Sequence, residues 1–331
     1  MKALEPSAGP ASDAQLARER IVGVAQSYGA AIVLALLVVI ASISFPTFLT
    51  PNNLTNIATQ SSFPLIVAIG MTFVILTGGI DLSVGSVFAL GGVLGAMGSQ
   101  GGIAGAFLIP ILAGAVIGSI QGGLVAYARM APFIVTLAGL LAVRGLVLAV
   151  TNAGSNTPLI TDPVTTAIGQ GKAFGISYTV LIALVLLAVG VLLLARSRGG
   201  QSILAVGGSE SAATLMGLPV ARVKFSVYVL SGVCAAVAGA LNAAYSSSGV
   251  PTVGVGLELS AISAVVIGGT LLSGGKGGLI GTLAGVLLLA VIQNMINQVG
   301  SLTSSAQAVV SGGFLAVVVI IQTVLARSQR L

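Results

Sequence analysis

Apolar residues gather along the chain in runs of 16 to 26 positions, separated by short stretches of polar residues, Pro or Gly. These runs cover residues 28–45, 57–78, 83–98, 103–128, 132–151, 176–195, 225–246, 258–273, 279–297 and 305–326. A hydrocarbon layer about 30 Å thick takes roughly 20 helical residues to cross, at about 1.5 Å each. The pattern therefore predicts an all-α integral membrane protein with about ten transmembrane helices. The third and eighth runs are short and rich in Gly and Ser, which suits broken or re-entrant helices. Residues 1–26 are polar, mixed in charge, carry Pro6 and Pro10 and contain no apolar core. They read as a disordered cytoplasmic tail rather than a cleavable signal peptide. Residues 27–327 read as one membrane domain.

Composition agrees with the pattern. Of 331 residues, 56% are hydrophobic and 6% charged, against roughly 25% charged in an ordinary soluble domain. The 46 glycines suit membrane helices whose backbones approach closely. There is no His, which excludes a Ser-His-Asp triad, a Cys-His dyad and any His-containing metal site. No catalytic residue, metal or cofactor is assigned. The single Cys234 lies in an apolar run and reads as a small buried thiol.

Charge then sets direction. With the N-terminus inside, the cytoplasmic stretches hold eleven cations: Lys2, Arg18, Arg20, Arg129, Arg196, Arg198, Arg222, Lys224, Lys276, Arg327 and Arg330. The outer loops hold Lys172 alone, and Arg144 falls within a span. That asymmetry is a positive-inside signal and places both termini in the cytoplasm. The net charge of +6 is thereby a topology signal facing lipid and water, not a nucleic-acid patch.

The sequence also repeats itself. Gly79-Ile80-Asp81-Leu82-Ser83, continuing to Ser86 and Gly91-Gly92, matches Gly256-Leu257-Glu258-Leu259-Ser260, continuing to Ser263 and Gly268-Gly269. The offset is constant at 177 residues. Five spans separate the copies, so two five-helix halves, about 28–151 and about 176–326, are expected to cross the membrane in opposite senses. Inverted repeats with discontinuous helices recur among transporters. Chance similarity in Gly- and Ser-rich sequence is the competing explanation.

Few polar side chains remain to carry chemistry. Asp81 and Glu258 are read at helix N-termini, where a carboxylate caps free N–H groups. A second reading makes them gates on opposite sides of a pathway, with Ser83, Ser86, Ser260 and Ser263 lining a polar route. A third reading is proton coupling. Arg144 within a span needs a partner such as Glu258 or helix-end carbonyls. Asn152, Asn156, Gln293, Asn294 and Asn297 suit either hydroxyl-rich solutes or interhelical bonding.

The longest cytoplasmic loop, 196–224, contains Ser209 as an N-cap, Glu210 in a favourable first turn, and Gly217 and Pro219 as stops. A short amphipathic helix with Ala212, Ala213, Leu215 and Met216 follows, fit for a groove on a soluble partner or for the lipid surface. Ser273-Gly274-Gly275-Lys276-Gly277 imitates the end of a phosphate loop. It lacks the earlier Gly and the following Ser or Thr, so this motif binds no ATP here.

The run Gly70–Ser86, the run Ile267–Gly275 and Ala205-Val206-Gly207-Gly208 resemble the hallmarks of ribose-type ABC sugar permeases, in the right order over residues 30–326. The stretch Val253–Gly275 looks closest to the galactofuranose-type branch, and Lys276 departs from the small residue expected there. The resemblance implies a non-catalytic permease of the bacterial inner membrane that moves a monosaccharide inward by alternating access. It implies a second permease copy, identical or not, ATP-binding-cassette ATPase subunits, and a periplasmic sugar-binding protein. Glu210–Gly217 would be the coupling helix, and the path would run at the dimer interface beside the second, third, seventh and eighth spans. An ion-coupled secondary transporter, or an ABC permease for a nucleoside or amino acid, is the alternative.

Overall fold

The computed structural model describes residues 13–299, 309 and 312–313, with side chains from residue 29 onward. Helix α1 (Asp13–Ser44) is followed by α2 (Pro51–Leu76), α3 (Val84–Gly98), α4 (Gly102–Ala126) and α5 (Pro132–Val150). A short α6 (Pro163–Gln170) and a two-residue hairpin, β1 (Lys172–Ala173) and β2 (Ile176–Ser177), lead into α7 (Tyr178–Arg196). Then come α8 (Arg198–Gly208), α9 (Glu210–Leu215), α10 (Val220–Ser246), α11 (Leu257–Ile267) and α12 (Leu279–Val299).

Local chemistry explains the starts. Thr50 caps α2, accepting from the Asn53 N–H, with Pro51 at the first helical position. Pro132 opens α5 and Pro163 opens α6 behind Asp162, which accepts from the Thr165 N–H. Residues 13–26, expected as part of the tail, form the first turns of α1; Ala, Leu, Gln, Arg and Glu are good helix formers. Residues 1–12 of that tail, and nearly all of the tenth predicted span, lie outside the described residues.

Among the described residues, six continuous helical stretches are long and apolar enough to cross a membrane. One of them, 84–126, is a hairpin. The chain turns through Ser99–Gly101, with Gly102 at φ +73°, so that α3 and α4 run back to back. A Cβ at Gly98 would overlap the Gly105 carbonyl, and one at Gly105 the Gly98 carbonyl. The apolar half of α1 (29–44) and α11 are shorter. At 11 residues, α11 reaches only about 16 Å. The two Gly/Ser-rich runs thus form the short helices α3 and α11, as their composition suggested.

The core sits around α10, which packs on α2, α3 and α4. Small residues let the backbones meet: Gly91 lies on Ala236, Gly114 on Gly232 and Gly118 on Tyr228. Without a hydrophobic drive between helices in lipid, such close approach is what holds them. The outward faces of α4 and α5 carry exposed Ile, Leu and Phe.

Candidate functional site

Between α2 and α3, residues 77–83 leave the helix and run through the interior. Asp81 is 1% exposed and fully partnered. Its Oδ1 accepts from the Ser83 N–H at 3.0 Å and the Ser83 hydroxyl at 2.7 Å; its Oδ2 accepts from Ser231 Oγ of α10 at 2.8 Å. The Tyr228 hydroxyl donates to the Ile80 carbonyl at 3.3 Å. Gln121 of α4 stands 3.1 Å from Ser83 Oγ, with its amide nitrogen buried and unpartnered. Turning that amide over puts an N–H on Ser83 Oγ, so that the single Ser83 proton serves Asp81 alone. A buried carboxylate needs such a set of donors. Asp81 therefore ties the start of α3 to α10.

Glu258 is drawn into the same region. It lies in the first turn of α11, and a Cβ at Gly85, one turn above Asp81, would overlap its Oε2. Ser231, the Asp81 partner, stands eleven residues into α10, about 16 Å along a helix. Asp81, buried, and Glu258, half-buried, thus both lie beside the first turn of α3, close to each other rather than far apart as the gate reading expects. The reason is the non-helical backbone ahead of each short helix, 77–83 and 247–256, which carries the chain inward. Arg144 donates to the carbonyls of Pro251 at 3.0 Å and Val253 at 3.2 Å and feels the charge of Glu258. Loop carbonyls are its direct partners. Ser86 donates to the Leu140 carbonyl, and Ser263 to that of Leu259. Ser260 is exposed and turned to its own helix through the Gly256 carbonyl. Asn294 bonds Asn53 at 2.8 Å, joining α12 to α2.

On the side where α7 ends, α8 and α9 project. Ser209 caps α9, accepting from the Ala212 N–H at 3.2 Å. Glu210 pairs with Lys224 of α10 at 2.5 Å. Gly217, at φ +76°, turns the chain back, and the Leu218 N–H donates to the Ala213 carbonyl. Ala213 is 2% exposed, anchored in the protein, while Ala212 is exposed; Leu215 and Met216 are 89% and 71% exposed.

Sequence reasoning did not foresee what lies at the end of α8, just ahead of α9. Leu76, Gly207 and Gly275 meet backbone to backbone: the Gly275 N–H donates to the Leu76 carbonyl at 3.0 Å, and a Cβ at Gly207 would overlap both. Gly274 and Gly275 have φ of +84° and +76°, a conformation that L side chains rarely adopt. The knot joins the end of α2, the end of α8 and the α11–α12 loop. Its members come one each from the three runs that carry the family resemblance, which is the signal that could have found it.

A family described as "branched-chain amino acid transport system / permease component" matches residues 53–322. The ribose import permease protein RbsC of Bacillus subtilis (strain 168) is 42% identical over 318 residues, covering 93% of this chain and 94% of its own length. The chain belongs to this permease family. The ribose import permease protein RbsC of Escherichia coli (strain K12) is likewise 42% identical to the permease, over 81% of it and 85% of the relative. The fructose import permease protein FruG of Bifidobacterium longum (strain NCC 2705) is 34% identical over 82% and 83%. No solved structure matches. Family membership makes the permease a multi-pass inner-membrane transport subunit of the ribose-type ABC class, with no ATPase site of its own.

Proposed function

We propose that the permease imports a monosaccharide, driven by ATP that separate subunits hydrolyse. The observation that carries this reading is α9, which presents Leu215 and Met216 to the outside and follows directly on α8, whose end is locked into the glycine knot. A push on α9 reaches the breaks before α3 and α12 through backbone contacts alone, and packed backbones transmit displacement with little give. ATPase subunits dock on α9 and a periplasmic binding protein on the opposite face. The names of relatives that import ribose and fructose support a sugar as cargo; the galactofuranose-type subdivision rests on Val253–Gly275 alone.

The chain is read as ten spans in two inverted halves, working as a dimer by alternating access. In this reading, residues of α2, α3 and α10 are too deeply buried within one chain to line much of a path. The open face of α11 and the loop before it serve instead, with Glu258, Ser260 and Arg144 along it. Asp81, Ser83, Ser86 and Ser263 hold the helices that shape the route.

The test is uptake in proteoliposomes containing the permease, its ATPase and its binding protein. Leu215→Glu with Met216→Glu abolishes uptake and transport-linked ATP hydrolysis, while the protein inserts normally. Retained uptake overturns the docking role. Replacing Ala213, by contrast, disturbs packing as well as docking. Uptake driven by a proton or sodium gradient without the ATPase establishes the secondary-transporter alternative. Screening sugars, nucleosides and amino acids on the binding protein identifies the cargo.

A further inference from the structure

Where α4 gives way to α5, the turn at Tyr127–Ala131 faces the α9–α10 junction across an open cleft of about 920 Å3. Its lining is mixed polar and apolar, the apolar part including Val125, Met130 and Val220. Its rim carries Arg129, Arg222 and Lys224, with Glu210 as the one carboxylate. Lys224 is paired with Glu210. Neither Arg129 nor Arg222 has a hydrogen bond or an ion pair to any described residue. Two guanidinium groups stand free over one cleft.

Three observations give that cleft a purpose. Arg129 has φ +55°, a left-handed conformation disfavoured for any residue with a Cβ and usually left to Gly at a helix end. Strain held in place is a pointer to function, and here it delivers a cation to the rim. The α10 N-terminus opens onto the same cleft: Pro219 offers no side-chain cap, and Ala221 lines the wall. The Val220 N–H is taken by the Leu218 carbonyl, but the Ala221 and Arg222 N–H groups lack helical acceptors and carry the positive end of the dipole. Finally, the cleft lies at the membrane boundary, since two spanning helices end and begin in it. The Tyr127 and Phe225 rings pack beside it at 5.9 Å, as aromatics do at headgroup level.

We propose that this cleft is a binding site for the phosphate headgroup of an anionic phospholipid. Arg129 and Arg222 hold the phosphate and the α10 N-terminus backs it. The acyl chains run down the exposed apolar sides of α4 and α5, past Ile120, Leu124, Phe133 and Leu137. A soluble acidic partner would match the charge but not the exposed apolar side chains with which α4 ends and α5 begins at this cleft. The proposal does not depend on the cargo; Glu210 and Thr214 of α9 line the cleft, while the docking side chains Leu215 and Met216 are not among its lining. Only the leaflet, the inner one, rests on the orientation set by the charge asymmetry. Lys224 and Glu210 share the rim as an ion pair, so the bound lipid adjoins α9 directly.

The experiment is native mass spectrometry of the full-length permease released from nanodiscs of phosphatidylcholine mixed with phosphatidylglycerol. Wild-type protein retains phosphatidylglycerol preferentially. Arg129→Gly with Arg222→Gln loses roughly 25-fold in that affinity, about fivefold per cation removed, while phosphatidylcholine retention is unchanged. Arg129→Gly relieves the backbone strain, so an undiminished melting temperature in neutral detergent certifies the fold. Equal phosphatidylglycerol retention by the variant overturns the proposal. So does full displacement of the lipid by inorganic phosphate, which marks a plain anion site. Unchanged lipid binding with failed ATPase assembly also overturns it, assigning the cleft to a protein partner.

Discussion

Among the described glycines, Gly207 leaves an added Cβ the least room. A Cβ there would overlap the Leu76 carbonyl and the Gly275 N–H, both backbone atoms already bonded to each other. Neither can swing aside as a side chain does. Overpacking of this kind costs about 1–3 kcal/mol, occasionally more. Gly207→Ala is therefore expected to lower the melting temperature in detergent by several degrees and to reduce uptake. At Gly208, its neighbour, an added Cβ would meet nothing within 4 Å, and Gly208→Ala serves as the tolerated control. Equal melting of the two variants would mean that the knot is not tightly packed. The Asp81 network makes the complementary point about polar residues. Its partners Gln121 and Ser231 lie 38 residues from Ser83 and 150 from Asp81, and no spacing rule connects them. The acids were conspicuous in the sequence because there are so few. Their partners were not, because Ser and Gln are unremarkable until three helices meet.

Elements show where pattern is sufficient and where it fails. The shortness of α3 and α11 was legible in their Gly and Ser content, and α9 was legible from the Ser209 cap, the Gly217 stop and the polar loop around them. The segment between α5 and α7 was not. Residues 152–175 read as loop, yet together with the first two residues of the sixth run they hold α6 and the β1–β2 hairpin, since eight residues with one cap give too weak a periodicity to stand out. The cap itself supplies a prediction. Asp162 accepts from the Thr165 hydroxyl at 2.7 Å and the Thr165 N–H at 2.8 Å, and these bonds hold its carboxyl below the ordinary value of 3.8. A depressed folded value means stability that is present above the ordinary value and lost as pH falls through the folded one. Amide exchange at Thr165 and Thr166 is accordingly expected to quicken as pH drops below about 4 relative to intrinsic rates. Asp162→Asn should remove that pH dependence. An unchanged acid profile in the variant would sever the link to this carboxyl.

At the scale of the whole molecule, one helix ties the two ends of the structure together. The β1–β2 hairpin immediately precedes α7, and α8 and α9 immediately follow it. With 19 residues, α7 is about 28 Å long, close to the hydrocarbon thickness, and Arg196 closes its last turn as a cytoplasmic anchor would. Two exposed side chains mark its sides: Phe174 at the hairpin tip, 105% exposed, and Leu215 on α9, 89% exposed. The charge asymmetry assigns the first to the outside and the second to the cytoplasm. Cys234 is the sole native thiol and is buried, so Cys234→Ala gives a background in which a single new cysteine reports its own location. In intact cells, Phe174→Cys is expected to react with a membrane-impermeant maleimide, whereas Leu215→Cys reacts only after the membrane is opened. The reverse result would invert the orientation while leaving the fold standing. Reaction of both from one side is the damaging outcome, since α7 would then not cross the bilayer. The odd number of spans read between the two halves, and the opposed threading proposed from it, would go too.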